Sequence, residues 1–368
     1  MKRICFLLAL CMLLSGCSAL FSDTYVNILP HEDQSNGIQS DTVTASDYQT
    51  LCTVLEDLVA VGTEHAVINV GDYDQDKVSQ DMETAVGYVS AEYPLGAYAV
   101  DVISYEIGRS SGFPAISVDI TYLHSRTELR LIQTVADMEA AAAEIGSTLK
   151  DCDTGVVLLV EEFEETDFAQ LVADYADRNP NVVMETPQVS AGLFPDKGDS
   201  RVVELNFTYQ TNRDALRNMR SQVQPVFSAA TLYVSGDGSD FQKYYQLYAF
   251  LMERSSDYTI ETSITPAYSL LRHGVGDSKA FATVYSAMCR QAELECHVIT
   301  GTRNGEPWCW NMIHDDGYYY HVDLLHSSEA GRFLEMTDAQ MTGYVWDYSA
   351  YPEASGQFEA PTEGSTEP

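Results

Sequence analysis

Positive charge is what this chain has least of. Its 368 residues carry 20 Lys and Arg against 55 Asp and Glu, a formal net charge of −35. Binding to nucleic acid needs clustered Lys and Arg to neutralise phosphates, so no nucleic-acid partner is expected. The same deficit argues against an electrostatic grip on anionic lipid headgroups. After the first 14 residues there is no apolar run of the roughly 20 residues that cross a bilayer. Cysteine is present but not in metal-binding order: no two are spaced C-x-x-C and no His joins them, so no zinc site is expected. No stretch supplies the spaced oxygen ligands of a calcium loop, and the run Glu161, Glu162, Glu164, Glu165 reads as a solvated face near a helix N-terminus. Neither a metal nor a cofactor is called for. Apolar residues are not scarce. They make up 45% of the chain and aromatics 11%, enough for packed cores, so acidity here does not mean disorder.

The chain opens with a basic pair, Lys2 and Arg3, followed by Ile4–Leu14, an apolar stretch too short to span a membrane. Residues 1–16 therefore read as a secretory signal. Leu14-Ser15-Gly16-Cys17 resembles the bacterial lipobox, in which the Cys is acylated and becomes the mature N-terminus. Two or more acyl chains, at about 0.8 kcal/mol per buried methylene, give stable anchoring where one does not. The implied location is the bacterial cell membrane, on its extracytoplasmic side, with residues 17–45 as a polar tether. Of eight Cys, Cys5 and Cys11 sit in the signal and Cys17 takes the lipid, which leaves Cys52, Cys152, Cys289, Cys296 and Cys309. An odd number cannot all pair, and bridges Cys289–Cys296 or Cys296–Cys309 stay open.

Residues 46–232 contain one pattern twice. Thr121-Tyr122-x-x-x-Arg126-x-x-Leu129-Arg130 recurs 87 residues on as Thr208-Tyr209-x-x-x-Arg213-x-x-Leu216-Arg217. Each follows an alternating β-rich run, Ala115–Tyr122 or Arg201–Tyr209. Upstream of these lie further strands (Tyr98–Ile107; Val182–Pro187), helices (Lys77–Tyr93; Phe168–Arg178) and apolar strands (Ala66–Val70; Gly155–Val160). Two β-α-β-β-α units are expected, at 46–145 and 146–232. Arg126 and Arg213 would cover the strand-to-helix joint.

From Gly274 the chain changes character. Gly-Val-Gly-Asp is a turn, with Asp277 or Ser278 placed to cap a helix. Phe281, Val284, Tyr285, Met288 and Ala292 recur at a helical spacing with one buried face. Three β-rich runs follow, Cys296–Gly301, Trp308–Ile313 and Tyr318–Leu324, separated by turn signals at Asn304-Gly305 and Asp315-Asp316-Gly317. A helix followed by antiparallel strands makes an α+β core, assigned to 233–351. Pro352–Pro368 is rich in Glu, Gly, Ser, Thr and Pro and is expected to be disordered.

These residues resemble the transglutaminase-like core, a papain-like fold with a Cys-His-Asp triad. Gly274, Gly276, Asp277, Phe281, Ala282, Arg290 and Gly301 fall in the family's register, as do Trp310-Asn311 and Val322-Asp323. The resemblance implies where the triad would stand, and there the chain departs from the pattern. The nucleophile position holds Ser278, the base position holds Trp308, and only Asp323, the orienting acid, is retained. A register with Gly276 as the nucleophile position also lacks a Cys. A serine depends on a base hydrogen-bonded to it, and an indole offers only an N–H donor. Losing either member of such a pair costs on the order of a million-fold, so the expected reading is a non-catalytic domain kept for binding or scaffolding. Trp310, Tyr318 and Cys309 are candidates to line its cleft, and a peptide or cell-wall fragment is the candidate ligand. The competing reading is an active peptidase or acyl transferase using Ser278 or Cys309. His321 is taken as a strand residue rather than a substitute base.

Overall fold

The computed structural model describes residues 43–234 and 236–356. The signal segment, Cys17 and most of the tether lie outside the described residues, as do residues 357–368. Among the described residues no helix is long and apolar enough to cross a membrane.

The first unit begins with helix α1 (Tyr48–Ala60), whose cap Asp47 accepts from the Thr50 N–H while the Thr50 hydroxyl reaches back to the cap. Strand β1 (His65–Asn69), helix α2 (Val78–Ala91), a short helix α3 (Pro94–Ala99), strands β2 (Val100–Ser110) and β3 (Phe113–Tyr122) and the short helix α4 (Arg126–Leu131) follow. β3 lies between β1 and β2, antiparallel to both. Its Ile116, Val118 and Ile120 are buried while Ser117, Asp119 and Thr121 face solvent, the alternation of a half-covered strand.

The second unit has strand β4 (Gln133–Asp137), helix α5 (Met138–Asp151), strand β5 (Gly155–Glu162), helix α6 (Phe168–Arg178), strands β6 (Gln188–Phe194) and β7 (Arg201–Thr208), and helix α7 (Arg213–Tyr233). Its sheet runs β4-β5-β7-β6, with β4 and β5 parallel. The expected β-α-β-β-α series is present in both units, each time with a further helix ahead of it. The boundary expected between 145 and 146 falls inside α5, so the units divide between α4 and β4 instead. Val182–Pro187 is not a strand. Val182 and Val183 fold back onto the carbonyl of Asn179, Val183 and Met184 are buried, and the strand starts at Gln188. Glu185, 4% exposed, takes the backbone N–H groups of Gln210 and Thr211, which explains why an acid sits in that turn.

Arg126 and Arg213 occupy the same place in the two units, the first residue of a helix entered from a strand and capped by Ser125 or Asn212. Arg213 donates to the carbonyl of Asp151 at the end of α5 and pairs with Asp153, and Arg217 donates to the same carbonyl. A cation over a helix C-terminus complements the free carbonyls there. The Arg126 side chain packs beside Gly62, just past the end of α1. Leu129 and Leu216 are equivalent too, and both point outward from their own unit. Leu129, with Tyr98 and Ala99, covers Val202 and the neighbouring Leu159 and Phe194 of the second sheet. Leu216, with Met184, enters the core of the domain that follows. The units thus stack head to tail onto the C-terminal domain.

That domain is built on helix α8 (Asp240–Met252) and helix α9 (Ser278–Gln291), with a sheet of strands β8 (Cys296–Arg303), β9 (Glu306–Asp315), β10 (Tyr318–Val322) and β11 (Tyr344–Trp346), ordered β10-β9-β8-β11. Both hairpin turns, Asn304-Gly305 and Asp316-Gly317, have positive φ at both residues, the geometry that suits the twist of a two-residue hairpin. α9 packs on one face of the sheet, and Asn311 ties them by donating to the Ala282 carbonyl at 2.9 Å. The other face holds Ile299, Trp310 and Met312 under Met336, Met341, Tyr344 and Trp346, so the piece at 333–351 closes over the core. The tail begins later than expected. Ala354 is fully buried and exchanges hydrogen bonds with Asp338, so residues 352–356 belong to the packed domain. All five cysteines of the described residues are free thiols, and neither open bridge is formed.

Candidate functional site

The site lies where α9 begins and β8, β9 and α10 (Leu324–Glu329) converge on it. Gly274, with φ of +72°, closes the preceding turn, and Val275–Gly276 runs parallel to Asp257–Tyr258. A Cβ at Gly274 would press on the Arg254 carbonyl at 2.8 Å, so the turn requires a residue without one. Of the two candidate caps it is Asp277 that serves, accepting from the Ala280 N–H at 2.8 Å. Ser278 is left as the first helical residue, with its side chain turned to the sheet.

Ser278 Oγ accepts the backbone N–H of Cys309 at 3.2 Å, and the residue is 8% exposed. Among the described residues no imidazole or carboxylate bonds to it. Trp308 occupies the neighbouring strand position, and its Nε1–H donates to Asp323 Oδ2 at 2.8 Å. The indole therefore makes the one contact with the acid that an imidazole would make, and offers nothing basic on its other side. Trp308 thus bonds Asp323 directly, and Ser278 meets the same strand one residue on, at the Cys309 N–H.

Asp323 is more enclosed than an orienting acid needs to be. It is 2% exposed and caps α10, its Oδ1 accepting the N–H groups of Leu325 and His326 at 3.0 and 3.1 Å. Its Oδ2 takes both Trp308 and the Tyr344 hydroxyl, the latter at 2.7 Å, with Arg303 at 3.9 Å. Burial, then the Asp323 charge, pushes the Tyr344 phenol well up, so it serves as a donor. Arg303 also bonds Glu329 at 2.9 Å and His326 at 3.1 Å and lies 5.1 Å from the Trp308 ring centre. Burial works against its charge, but Glu329, Tyr344 and Asp323 together outweigh that and the guanidinium is held above its ordinary range. Tyr344 and Arg303 carry no motif that marks them in the sequence; strand pairing of β8 with β11 sets them side by side.

The candidate lining residues separate. Cys309 does face the cleft, on the α9 side of the sheet and opposite Thr300, with its sulfur 3.8 Å from the Thr300 hydroxyl. Strand alternation turns it from the face that carries Trp308, yet the cleft reaches both. Burial pushes the Cys309 thiol up, only partly offset by Thr300 and Lys279. Trp310 is a correction: at 1% exposure it belongs to the core, donating to His321 Nδ1 at 2.9 Å and packing edge-on against Tyr344 and Trp346. Tyr318 is a second correction. It pairs with Asp315 beside the hairpin turn, at the opposite end of β10 from Asp323. His321 is fully buried between Trp310 and Asp338, whose carboxylate its Nε2–H meets at 2.7 Å, and it does not reach Ser278. Burial lowers its pKa despite Asp338.

The open cleft measures about 1040 Å³. Its floor is Ser278, Thr300, Gly301, Trp308 and Cys309. One wall is the loop with Tyr258, Ile260 and Thr262, and the other is the hairpin from Arg303 to Pro307. Tyr258 leans on Trp308 with ring centres 5.5 Å apart. This loop lies outside every motif in the sequence.

The family model of the transglutaminase-like superfamily matches residues 228–353. Among solved structures, the crystal structure of a TGase aligns at 9% identity and a TM-score of 0.25, covering 59% of this chain and 63% of its own. The chain thus spans less than two thirds of that protein's length. A candidate cysteine protease from Cytophaga hutchinsonii aligns at 11% identity and a TM-score of 0.26, over 43% of this chain and 70% of its own. A candidate protease from Parabacteroides distasonis aligns at 10% and 0.23, over 70% and 39%. No curated protein sequence matches the chain. Residues 228–353, behind two stacked α/β units, are thus similar to the transglutaminase-like superfamily.

Proposed function

We propose that this chain is a lipid-anchored extracytoplasmic protein whose transglutaminase-like domain binds an extended peptide or cell-wall fragment and does not turn it over. The observation that carries this reading is the hydrogen bond from Trp308 Nε1 to Asp323 Oδ2. It fills the place of the general base with a group that cannot accept a proton, and it engages the acid that would have oriented that base. Ser278 is left with a backbone donor and, among the described residues, no acceptor for its own proton. The competing thiol reading needs a thiolate at Cys309, and burial works against one there while no imidazole bonds to it. The cleft is ample for a ligand and is lined by aromatic and polar groups on a rigid sheet and helix, which suits retention of a binding site after loss of chemistry. Anchoring through Cys17 follows from the sequence at the chain's start.

The test uses the unaltered protein. Hydrolysis and acyl transfer are measured on peptide and cell-wall substrates, with a thiol-reactive probe in parallel. No turnover above the Ser278→Ala and Cys309→Ala controls is expected. Turnover abolished by either substitution would overturn the reading.

A further inference from the structure

The charges around the cleft are not balanced. Two cations line it, and each already has a carboxylate partner: Lys279 with Asp177 at 2.8 Å, and Arg303 with Glu329 at 2.9 Å. Two further carboxylates line it, Asp277 and Glu306, and neither has an ion pair among the described residues. Asp277 sits beside Ser278 at the floor and Glu306 on the hairpin wall. Around this lies a chain of net charge −35, whose field draws cations toward any concavity that focuses it. The walls add an apolar component. Ile260 is 84% exposed on the loop, facing the same cleft as Pro307 and the Trp308 ring. An isoleucine this exposed has nothing of its own domain to cover it.

We propose that the cleft receives an extended peptide segment carrying both basic and apolar side chains, the basic ones meeting Asp277 and Glu306 and an apolar one covering Ile260. This rests on the binding reading above and names the ligand's chemistry. A neutral or acidic segment would leave Asp277 and Glu306 without counter-charge and would approach against the field of the whole chain. A glycan is disfavoured by the state of Trp308. Tyr258 leans against its ring and Arg303 lies over it, so the indole lacks the open face a sugar would stack on.

The experiment measures fluorescence anisotropy of a labelled decapeptide of alternating Lys and Leu, and of its Glu and Leu counterpart. Both are titrated with the full chain at low and at physiological ionic strength, with Glu306→Lys and Ile260→Ser as variants. The Lys and Leu peptide is expected to bind the more tightly and to weaken with salt. Glu306→Lys should loosen it about fivefold, as for an exposed ion pair, and Ile260→Ser about tenfold through lost apolar contact. Equal binding of the two peptides would leave the binding reading standing and overturn the charge inference. Preference for the basic peptide untouched by either variant would mean attraction to the acidic surface at large, and would overturn the cleft as its place. If neither peptide binds, this inference fails and the peptide reading it rests on loses its support.

Discussion

Asp323→Ala is expected to cost the C-terminal domain about 4 kcal/mol of stability. The carboxylate is 2% exposed and accepts four hydrogen bonds, from Trp308, Tyr344, Leu325 and His326, with Arg303 close by. Removing the acid leaves the indole N–H and the phenol O–H of the cluster without an acceptor and Arg303 short of one counter-charge. Breaking a buried charged group's pairing typically costs about 3–5 kcal/mol. Losing the cap of α10 adds about 1 kcal/mol, offset where water reaches the partly exposed Trp308. Trp308→Phe removes one of the four donors and should cost about 1.5 kcal/mol. Asp323→Asn should fall between, because Tyr344 can turn its hydroxyl to accept while Trp308 cannot reverse its N–H. All three Trp residues of the chain, 308, 310 and 346, lie in this domain, so their fluorescence follows its unfolding in urea. The quantity to compare is the midpoint at constant slope. A cost below about 1 kcal/mol for Asp323→Ala, or an equal cost for Trp308→Phe, would show that Asp323 is not the hub described.

Glu335 should make stability fall as pH rises. Burial, and then Asp315, raise its carboxyl to about 7, and its Oε1 is buried without a hydrogen-bond partner. A raised folded-state value means the contribution is fully present below the ordinary value of 4.5 and is lost as pH climbs through about 7. Urea midpoints of the wild type and Glu335→Gln should therefore diverge between about pH 5 and about pH 8, the variant being the flatter; parallel curves would refute this. Cys17→Ala should move the protein from the detergent phase to the aqueous phase, or leave the precursor unprocessed, and identical partitioning of the two would end the anchor proposal.

Much of the C-terminal domain was legible because its signals are local. The helical spacing of Phe281, Val284, Tyr285 and Met288 and the turns Asn304-Gly305 and Asp316-Gly317 set α9 and three strands within a few residues. Short-range backbone geometry decides such features, and nothing distant overrode it. The duplicated motif likewise located two equivalent strand-to-helix joints, since an Arg at the first turn and a Leu three residues on repeat in sequence. What the sequence could not show was that those leucines reach the next module in line: Leu129 packs with Val202 and Leu216 joins the core of the C-terminal domain. The placement of Val182–Pro187 failed for a related reason. Apolar residues in a turn can be knobs for a neighbouring core as readily as part of a strand, and only packing tells the two apart.

At the site, Ser278, Trp308 and Asp323 were singled out by the family resemblance, and the structure sets the Trp308 indole on Asp323 and Ser278 on the Cys309 N–H. Whether an aromatic lines the cleft or fills the core was settled by the sheet. Trp308 and Trp310 share a face of β9, yet β11 folds over one and leaves the other at the open end of the strands. Tyr318 sits on the next strand but at the far end of it, a distinction that follows from antiparallel pairing. The four-donor enclosure of Asp323 joins residues from β9, α10 and β11, with Arg303 of β8 close by. No spacing in a linear chain encodes that gathering of charges and donors; it exists only once the strands have paired.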